Sequence, residues 1–163
     1  HIATLDEALA LCSSLNLWVM LDIKTFDNPP NSEQFFQRIS DLLQVHNLTR
    51  TTVTISGHHL TQKHLVGKVL FRVTNEEFKK VQDGASVPLN HKFWFGLPEA
   101  LPSEMVSKLQ QNGALVMPAI NTFRYPAHAD RELAHQDIER LLNAGVDGFQ
   151  IDSIYEDLFA KKK

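Results

Sequence analysis

The sequence predicts an α/β fold with a parallel sheet. Short apolar runs alternate with longer amphipathic stretches along all 163 residues. Strict alternation of strand and helix is the pattern of parallel sheets with right-handed crossovers. The third observation is where the polar residues fall. Asp22 and Lys24, Ser56, Arg72, Asn121 and Asp152 each sit at the C-terminal end of an apolar run. In the (β/α)8 barrel of the TIM type, chemistry gathers at those ends. About six strand–helix units can be traced, whereas closure takes about eight strands. The expected architecture is therefore an incomplete (β/α)8 barrel.

The elements follow in order. Thr4-Leu5-Asp6-Glu7 is a capping box that opens a helix. Leu5, Ala8, Leu9, Cys12 and Leu15 mark its expected inner face. Leu17-Trp18-Val19-Met20-Leu21 reads as a strand buried on both faces. Asn28-Pro29-Pro30-Asn31 is a loop, and Ser32 caps a helix to about Val45 with Phe35, Phe36, Ile39, Leu42 and Leu43 inward. Strands are expected at 52–56 and 68–73, with a short helix from His58 to Val66 between them. Thr74-Asn75-Glu76-Glu77 is a second capping box, for a helix ending near Gly84. Phe93-Trp94-Phe95 is a brief strand, and Pro102-Ser103-Glu104 opens a helix that Gly113 closes. An apolar run at 114–117 leads into Asn121, a helix spans 130–143 with Gly145 at its stop, and 148–152 is the last strand. A short helix near 155–159 ends the pattern.

Composition excludes several classes. Lys+Arg is 16 and Asp+Glu is 19, a formal charge of −3, with 43% apolar residues. A disordered chain would have few apolar residues and a large net charge. A general nucleic-acid binder needs an excess of cations to displace counterions. The lone basic run, Lys161-Lys162-Lys163, is a solvated tail behind a domain at 1–160. One cysteine, Cys12, rules out an internal disulfide framework and any zinc site built on several thiolates. No apolar run is long enough to span a bilayer, so a soluble protein is expected, with the cytoplasm the favoured compartment. The chain starts at His1 without a methionine, which leads us to expect a segment upstream.

Three stretches resemble the glycerophosphodiester phosphodiesterase family. Ile2-Ala3-Thr4-Leu5-Asp6-Glu7-Ala8-Leu9 and Met20-Leu21-Asp22-Ile23-Lys24 match a family segment leading into a strand that ends in Glu/Asp-Ile/Val-Lys. Met117-Pro118-Ala119-Ile120-Asn121 and Gly145-Val146-Asp147-Gly148-Phe149-Gln150-Ile151-Asp152 match its C-terminal part, and Val53-Thr54-Ile55-Ser56 matches a strand between. The chain departs from the family pattern at Ala3, at Met117-Pro118-Ala119-Ile120 and at Gln150-Ile151, and has Asp22 where many relatives have Glu. The family's His-Arg, Glu-Asn-Thr and Glu-x-Asp segments and its later catalytic histidine have no counterpart. The six strands thus fit the family's third to eighth, and the barrel lacks the first two.

The resemblance implies a lipid-metabolic hydrolase that cleaves a glycerophosphodiester, or a lysophospholipid-like molecule, to glycerol 3-phosphate and an alcohol. It implies a divalent cation, Mg²⁺ or Ca²⁺, which takes oxygen ligands, with Asp22 as one ligand. Lys24, Arg72, Asn121 and Ser56 would bind phosphate or substrate, and Asp152 would line the mouth. Plainer roles stand beside these. Asp22 and Lys24 would form an ion pair, Arg72 a salt bridge to a nearby carboxylate, Asn121 a cap for the following loop, and Asp152 a cap for the last helix. No residue is nominated as catalytic. His58, His59 and His64 read as a satisfied or solvated loop cluster, because His59 and His64 are five apart rather than four. Phe93, Trp94 and Phe95 read as core. With its acid–base motifs absent, this chain alone is expected to be inactive. The alternative is a non-enzymatic barrel remnant serving in binding or assembly, its open side covered by another segment or by an oligomer. Toxins like sphingomyelinase D are a weaker match, since they carry disulfides and this chain has one cysteine.

Overall fold

The computed structural model describes residues 2–24, 32–128 and 130–159. The loop expected at 28–31, the side chain of Ser32 and the run at 161–163 lie outside the described residues. The chain divides into two compact units, His1–Arg72 and Val73–Lys163.

The first unit runs α1 (Leu5–Ser14), β1 (Val19–Leu21), α2 (Ser32–Val45), a 3₁₀ turn (Thr49–Thr51), β2 (Thr52–Thr54), α3 (His59–Leu65) and β3 (Leu70–Arg72). The capping box at Thr4 is formed in full, with the Thr4 hydroxyl accepting from the Glu7 N–H and the Glu7 carboxylate accepting from the Thr4 N–H. The three strands pair in parallel, Met20 opposite Val53 and Val53 opposite Leu70. Their C-terminal ends therefore share one edge. Beneath them Leu9, Leu21, Ile39, Leu42, Leu43, Leu48, Leu65 and Val69 form the unit's core.

Several expected core positions are exposed. Phe35 is half exposed, while its neighbour Phe36 is fully buried and packs edge-on against it. The helical turn can aim only one of two consecutive rings at the core. On α1 only Leu9 is buried; Cys12 is half-buried, and Leu5, Ala8 and Leu15 face outward. Leu17 and Trp18 are also exposed and precede the strand proper. The expectation of a five-residue strand buried on both faces is thus corrected. β1 pairs with β2 on one side and leads the strand order, so its flank has no second neighbour among the described residues.

The second unit runs α4 (Asn75–Gln82), β4 (Lys92–Trp94), a 3₁₀ turn (Pro98–Ala100), α5 (Ser103–Gln111), β5 (Leu115–Val116), β6 (Ala119–Ile120), a 3₁₀ turn (Thr122–Arg124), α6 (Asp130–Ala144), β7 (Gln150–Ile151) and a closing 3₁₀ stretch (Ser153–Phe159). The Thr74 capping box is again complete. Gly113 and Gly145 follow the ends of α5 and α6 at φ of +95° and +80°, the left-handed conformation that ends a helix most cheaply with glycine. The apolar run at 114–117 contributes β5, and a further short strand, β6, forms at Ala119–Ile120 beyond Met117-Pro118. Pro118 has no N–H to give a ladder, yet its carbonyl accepts from Gln150 N–H. The hydrogen bonds continue through the break: Met117 N–H to Trp94 O and Ala119 N–H to Gly96 O on one side, Asp147 N–H to Val116 O and Asp152 N–H to Ile120 O on the other. β4 pairs with β5 and β6 with β7, all parallel. The core gathers Leu89, Leu101, Met105, Val106, Leu109, Val116, Ile120, Ile138 and Tyr155. Of the three aromatics expected in the core, Phe93 and Trp94 are buried and Phe95 is half-buried. Arg140 of α6 ties down the turn after β4, donating to the carbonyls of Leu101 and Pro98 at 2.8 and 2.9 Å.

Candidate functional site

Each of the six nominated residues lies at, or just beyond, the C-terminal end of a strand. In the first unit Asp22 and Lys24 follow β1, Ser56 follows β2, and Arg72 is the last residue of β3. In the second, Asn121 follows β6 and Asp152 follows β7. Parallel pairing makes each set a single edge.

At the first edge, Lys24 Nζ lies 2.7 Å from Asp22 Oδ2. Both side chains are exposed, so the pair contributes at most about 1 kcal/mol and is easily opened by a competing ion. The plainer reading of this pair, an ion pair at the strand end, is what the geometry contains. Ser56 Oγ lies 2.9 Å from the buried Thr61 hydroxyl and accepts weakly from the His58 N–H at 3.4 Å. It therefore stitches the β2–α3 loop. His58 caps α3, its Nδ1 accepting from the Leu60 N–H at 3.3 Å, and its ring stacks on Phe36. His64 sits against Glu33 and Gln37 on α2, and His59 is exposed. The three histidines thus form no common ligand set. Arg72 is exposed at the end of β3.

At the second edge the side chains bond across the ladder. Asn121 Nδ2 donates to Gln150 Oε1 at 3.2 Å and to Asp152 Oδ1 at 3.3 Å. Asp152 Oδ2 accepts from the Thr122 N–H at 2.8 Å and the Thr122 hydroxyl at 3.0 Å. Neither residue caps the loop that follows it, as the sequence suggested: the Asn121 side chain makes no capping bond, and the Asp152 carboxylate serves the turn after the neighbouring strand. Parallel register brings the two strand ends side by side, and the donors across the ladder win over the local ones. The Thr122 N–H, with help from its hydroxyl and the Asn121 amide, holds the Asp152 carboxyl below its ordinary range. The sign of the linkage follows. A depressed folded pKa gives stability that is present above the ordinary value of 3.8 and lost as pH falls through the folded one. Asp152→Asn is expected to lower the melting temperature by about 2–4 °C at neutral pH, with the gap closing in acid. Thermal melts of both proteins across pH check this.

Thr61, Thr122 and Gln150 were not nominated as site residues, yet they hold Ser56, Asp152 and Asn121. Thr61 carried a weak signal, a polar residue on the inner side of a short helix. Among the described residues, no group of three or more His, Cys, Asp or Glu side chains is placed to hold a metal ion. Asp22 offers one oxygen ligand, too few for Mg²⁺ or Ca²⁺. The described residues therefore do not by themselves fit the cation that the resemblance implies.

No protein-family model and no curated protein matches the chain. Solved structures do. A glycerophosphodiester phosphodiesterase from Agrobacterium tumefaciens superposes on 97% of this chain with a TM-score of 0.60 at 16% identity. The chain shares its fold with glycerophosphodiester phosphodiesterases. A second structure, assigned as a glycerophosphoryl diester phosphodiesterase of Silicibacter pomeroyi, superposes on 93% of the chain with a TM-score of 0.59 at 15% identity. The chain spans 61% and 53% of the length of these two phosphodiesterases. Among the described residues, no helix is long and apolar enough to cross a membrane.

Proposed function

We propose that the chain is the larger part of a (β/α)8 barrel that hydrolyses glycerophosphodiesters to glycerol 3-phosphate and an alcohol with the help of a divalent cation. The observation that carries this reading is the phosphodiesterase fold over nearly the whole chain, joined to polar residues at the ends of β1, β2, β3, β6 and β7, the side where such a barrel does its chemistry. In this reading Asp22 would supply one oxygen to Mg²⁺ or Ca²⁺, and the described residues provide no group of further ligands. The cation would polarise the phosphoryl group. Lys24, released from Asp22, neutralises a phosphate oxygen, and Arg72 offers a guanidinium fork to the same anion. Ser56 donates a hydrogen bond to a diester oxygen at the same edge, while the Asn121 amide is taken up by Gln150 and Asp152 at the edge of the second unit. The substrate is a soluble glycerophosphodiester or a lysophospholipid-like molecule.

A second reading, a non-catalytic barrel remnant acting in binding or assembly, draws on one feature. Asp22 and Lys24 satisfy each other, and Ser56, Asn121 and Asp152 are engaged in loop contacts. Calorimetry of residues 1–163 with glycerol 3-phosphate, with and without Ca²⁺, separates the two. The hydrolase reading expects millimolar-class binding, about 4 kcal/mol, weakened severalfold by Lys24→Ala or Arg72→Ala. Binding indifferent to both substitutions favours the remnant.

A further inference from the structure

One flank of the first unit joins an open strand edge to an apolar helix face. Among the described residues β1 pairs with β2 alone and stands first in the strand order. Across that pairing the Leu21 carbonyl accepts from the Ile55 N–H. Successive residues of a strand aim their backbone groups to opposite sides, so the N–H and C=O of Met20 face away from β2. α1 turns its apolar side to the same flank. Its inner side is fixed against α2 and the core: Leu9 is buried, Asp6 Oδ1 lies 2.7 Å from His46 Nε2, and the Ser13 hydroxyl donates to the His46 carbonyl at 2.8 Å. The helical turn then places Leu11 and Leu15 on the far side. They are 59% and 57% exposed, and Leu17 and Trp18, 48% and 51% exposed, lead from the helix to the strand. From Ala8 to Leu21 the sequence holds no charged residue. Monomeric proteins commonly blunt an edge strand with lysine or proline, and Val19-Met20-Leu21 carries neither.

We propose that this flank is an interface between two copies of the chain, related by a two-fold axis at Met20. β1 runs antiparallel to β1 of the second copy. Met20 faces Met20 and Trp18 faces Asp22, the residues whose backbone groups point outward, so each pair exchanges N–H···O=C bonds. The sheet continues from one copy into the next, and Leu11 and Leu15 of the two α1 helices meet over it. A two-fold contact must be self-complementary. Here an unpaired edge meets an unpaired edge, and an uncharged stripe meets its own copy. The apolar side chains leave roughly 500–600 Å² open, the upper end of what a typical monomer exposes in one patch. With the strand edges, two such flanks bury on the order of 1,200–1,600 Å², the size of a stable interface. Loss of charge and an aromatic ring at the centre are also what interface cores favour. A lipid surface accepts the leucines but offers no partner to the backbone groups of the edge. The association stands whether or not the barrel hydrolyses phosphodiesters.

The test is sedimentation velocity of residues 1–163 over a concentration series reaching about 200 μM, with amide exchange read at both ends, so that any dimer of micromolar-class affinity is populated. A monomer–dimer equilibrium is expected, and the Met20 amide should exchange more slowly as the dimer fills. Leu11→Glu puts a charge at an exposed helix position and is expected to weaken the dimer about tenfold or more. Met20→Pro removes the outward N–H, which a strand tolerates only at an edge, and should do the same. If that variant fails to fold, Leu11→Glu decides alone. Val66→Glu, at an exposed apolar position beyond α3, should leave the equilibrium unchanged. A monomer throughout the series overturns the proposal, as does a dimer indifferent to Leu11→Glu. Species that keep growing past the dimer also overturn it, because a two-fold contact closes. So does a monomer whose exposed Trp18 shifts its emission on phosphatidylcholine vesicles, which would give the flank to a lipid surface.

Discussion

Residues 1–163, incubated with glycerophosphocholine and Mg²⁺ or Ca²⁺, are expected to release no glycerol 3-phosphate above background in a coupled assay. Positioned acids and bases contribute about 10²–10⁴-fold to such a reaction, and the described residues offer no free pair of them at a strand end. The nearest histidine, His58, has Nδ1 tied to the Leu60 N–H and its ring against Phe36. The carboxylate at the first edge, Asp22, is paired with Lys24 and, among the described residues, has too few companions to fix a cation. Joining the chain to a segment that carries the family's His-Arg, Glu-Asn-Thr and Glu-x-Asp motifs is expected to give turnover. In that longer polypeptide Asp22→Ala should then lower the rate by about 10³-fold or more, since a Lewis-acid cation lowers the barrier by several kcal/mol. Cys12→Ala, on the half-buried side of α1, should leave the rate unchanged. Metal-dependent turnover by residues 1–163 alone would show that the catalytic groups are already present in the chain.

Leu109→Ala is expected to destabilise the second unit by about 2–5 kcal/mol, a large part of the roughly 5–15 kcal/mol that holds a domain folded. Leu109 is fully buried in the core with Leu89, Met105 and Val116. Its carbonyl also receives the N–H groups of Asn112 and Ala114 at the turn beyond α5. Truncation opens a cavity beside this turn, which leads directly into β5 and limits how far the backbone can collapse to fill it. Leu142→Ala on α6, at a half-exposed position, should change stability by about 0.5 kcal/mol or less. Denaturant titration of the two variants measures the difference.

Local signals in the sequence were the most legible. Thr4 with Glu7, and Thr74 with Glu77, formed the reciprocal bonds their spacing promised, because a capping box is settled within four residues. Gly84, Gly113 and Gly145 mark helix ends for a similarly local reason, all with positive φ. Strand position was legible, but strand extent was not. An apolar run says that a segment is suited to burial; the ladder is decided by the neighbour. Leu17 and Trp18 belong to such a run yet lie exposed before β1, and β6 forms beyond Pro118, outside the run expected at 114–117. The candidate residues were placed at strand ends by the same alternation that gave the fold. What they bond to was hidden. Thr122 and Gln150 reach Asp152 and Asn121 through the β6–β7 pairing, some 29–31 residues apart in the chain, and Thr61 reaches Ser56 from the helix after it.

The most direct measurement is an amide-resolved NMR titration of residues 1–163 with glycerophosphocholine in the presence of Ca²⁺. Binding at the strand ends of the first unit predicts shifts concentrated at 22–24, 54–57 and 72, reduced by Lys24→Ala. Shifts confined to the α2–α3 face or to the 3₁₀ stretch after β7, or none at millimolar ligand, would contradict the placement of a phosphodiester site at these strand ends.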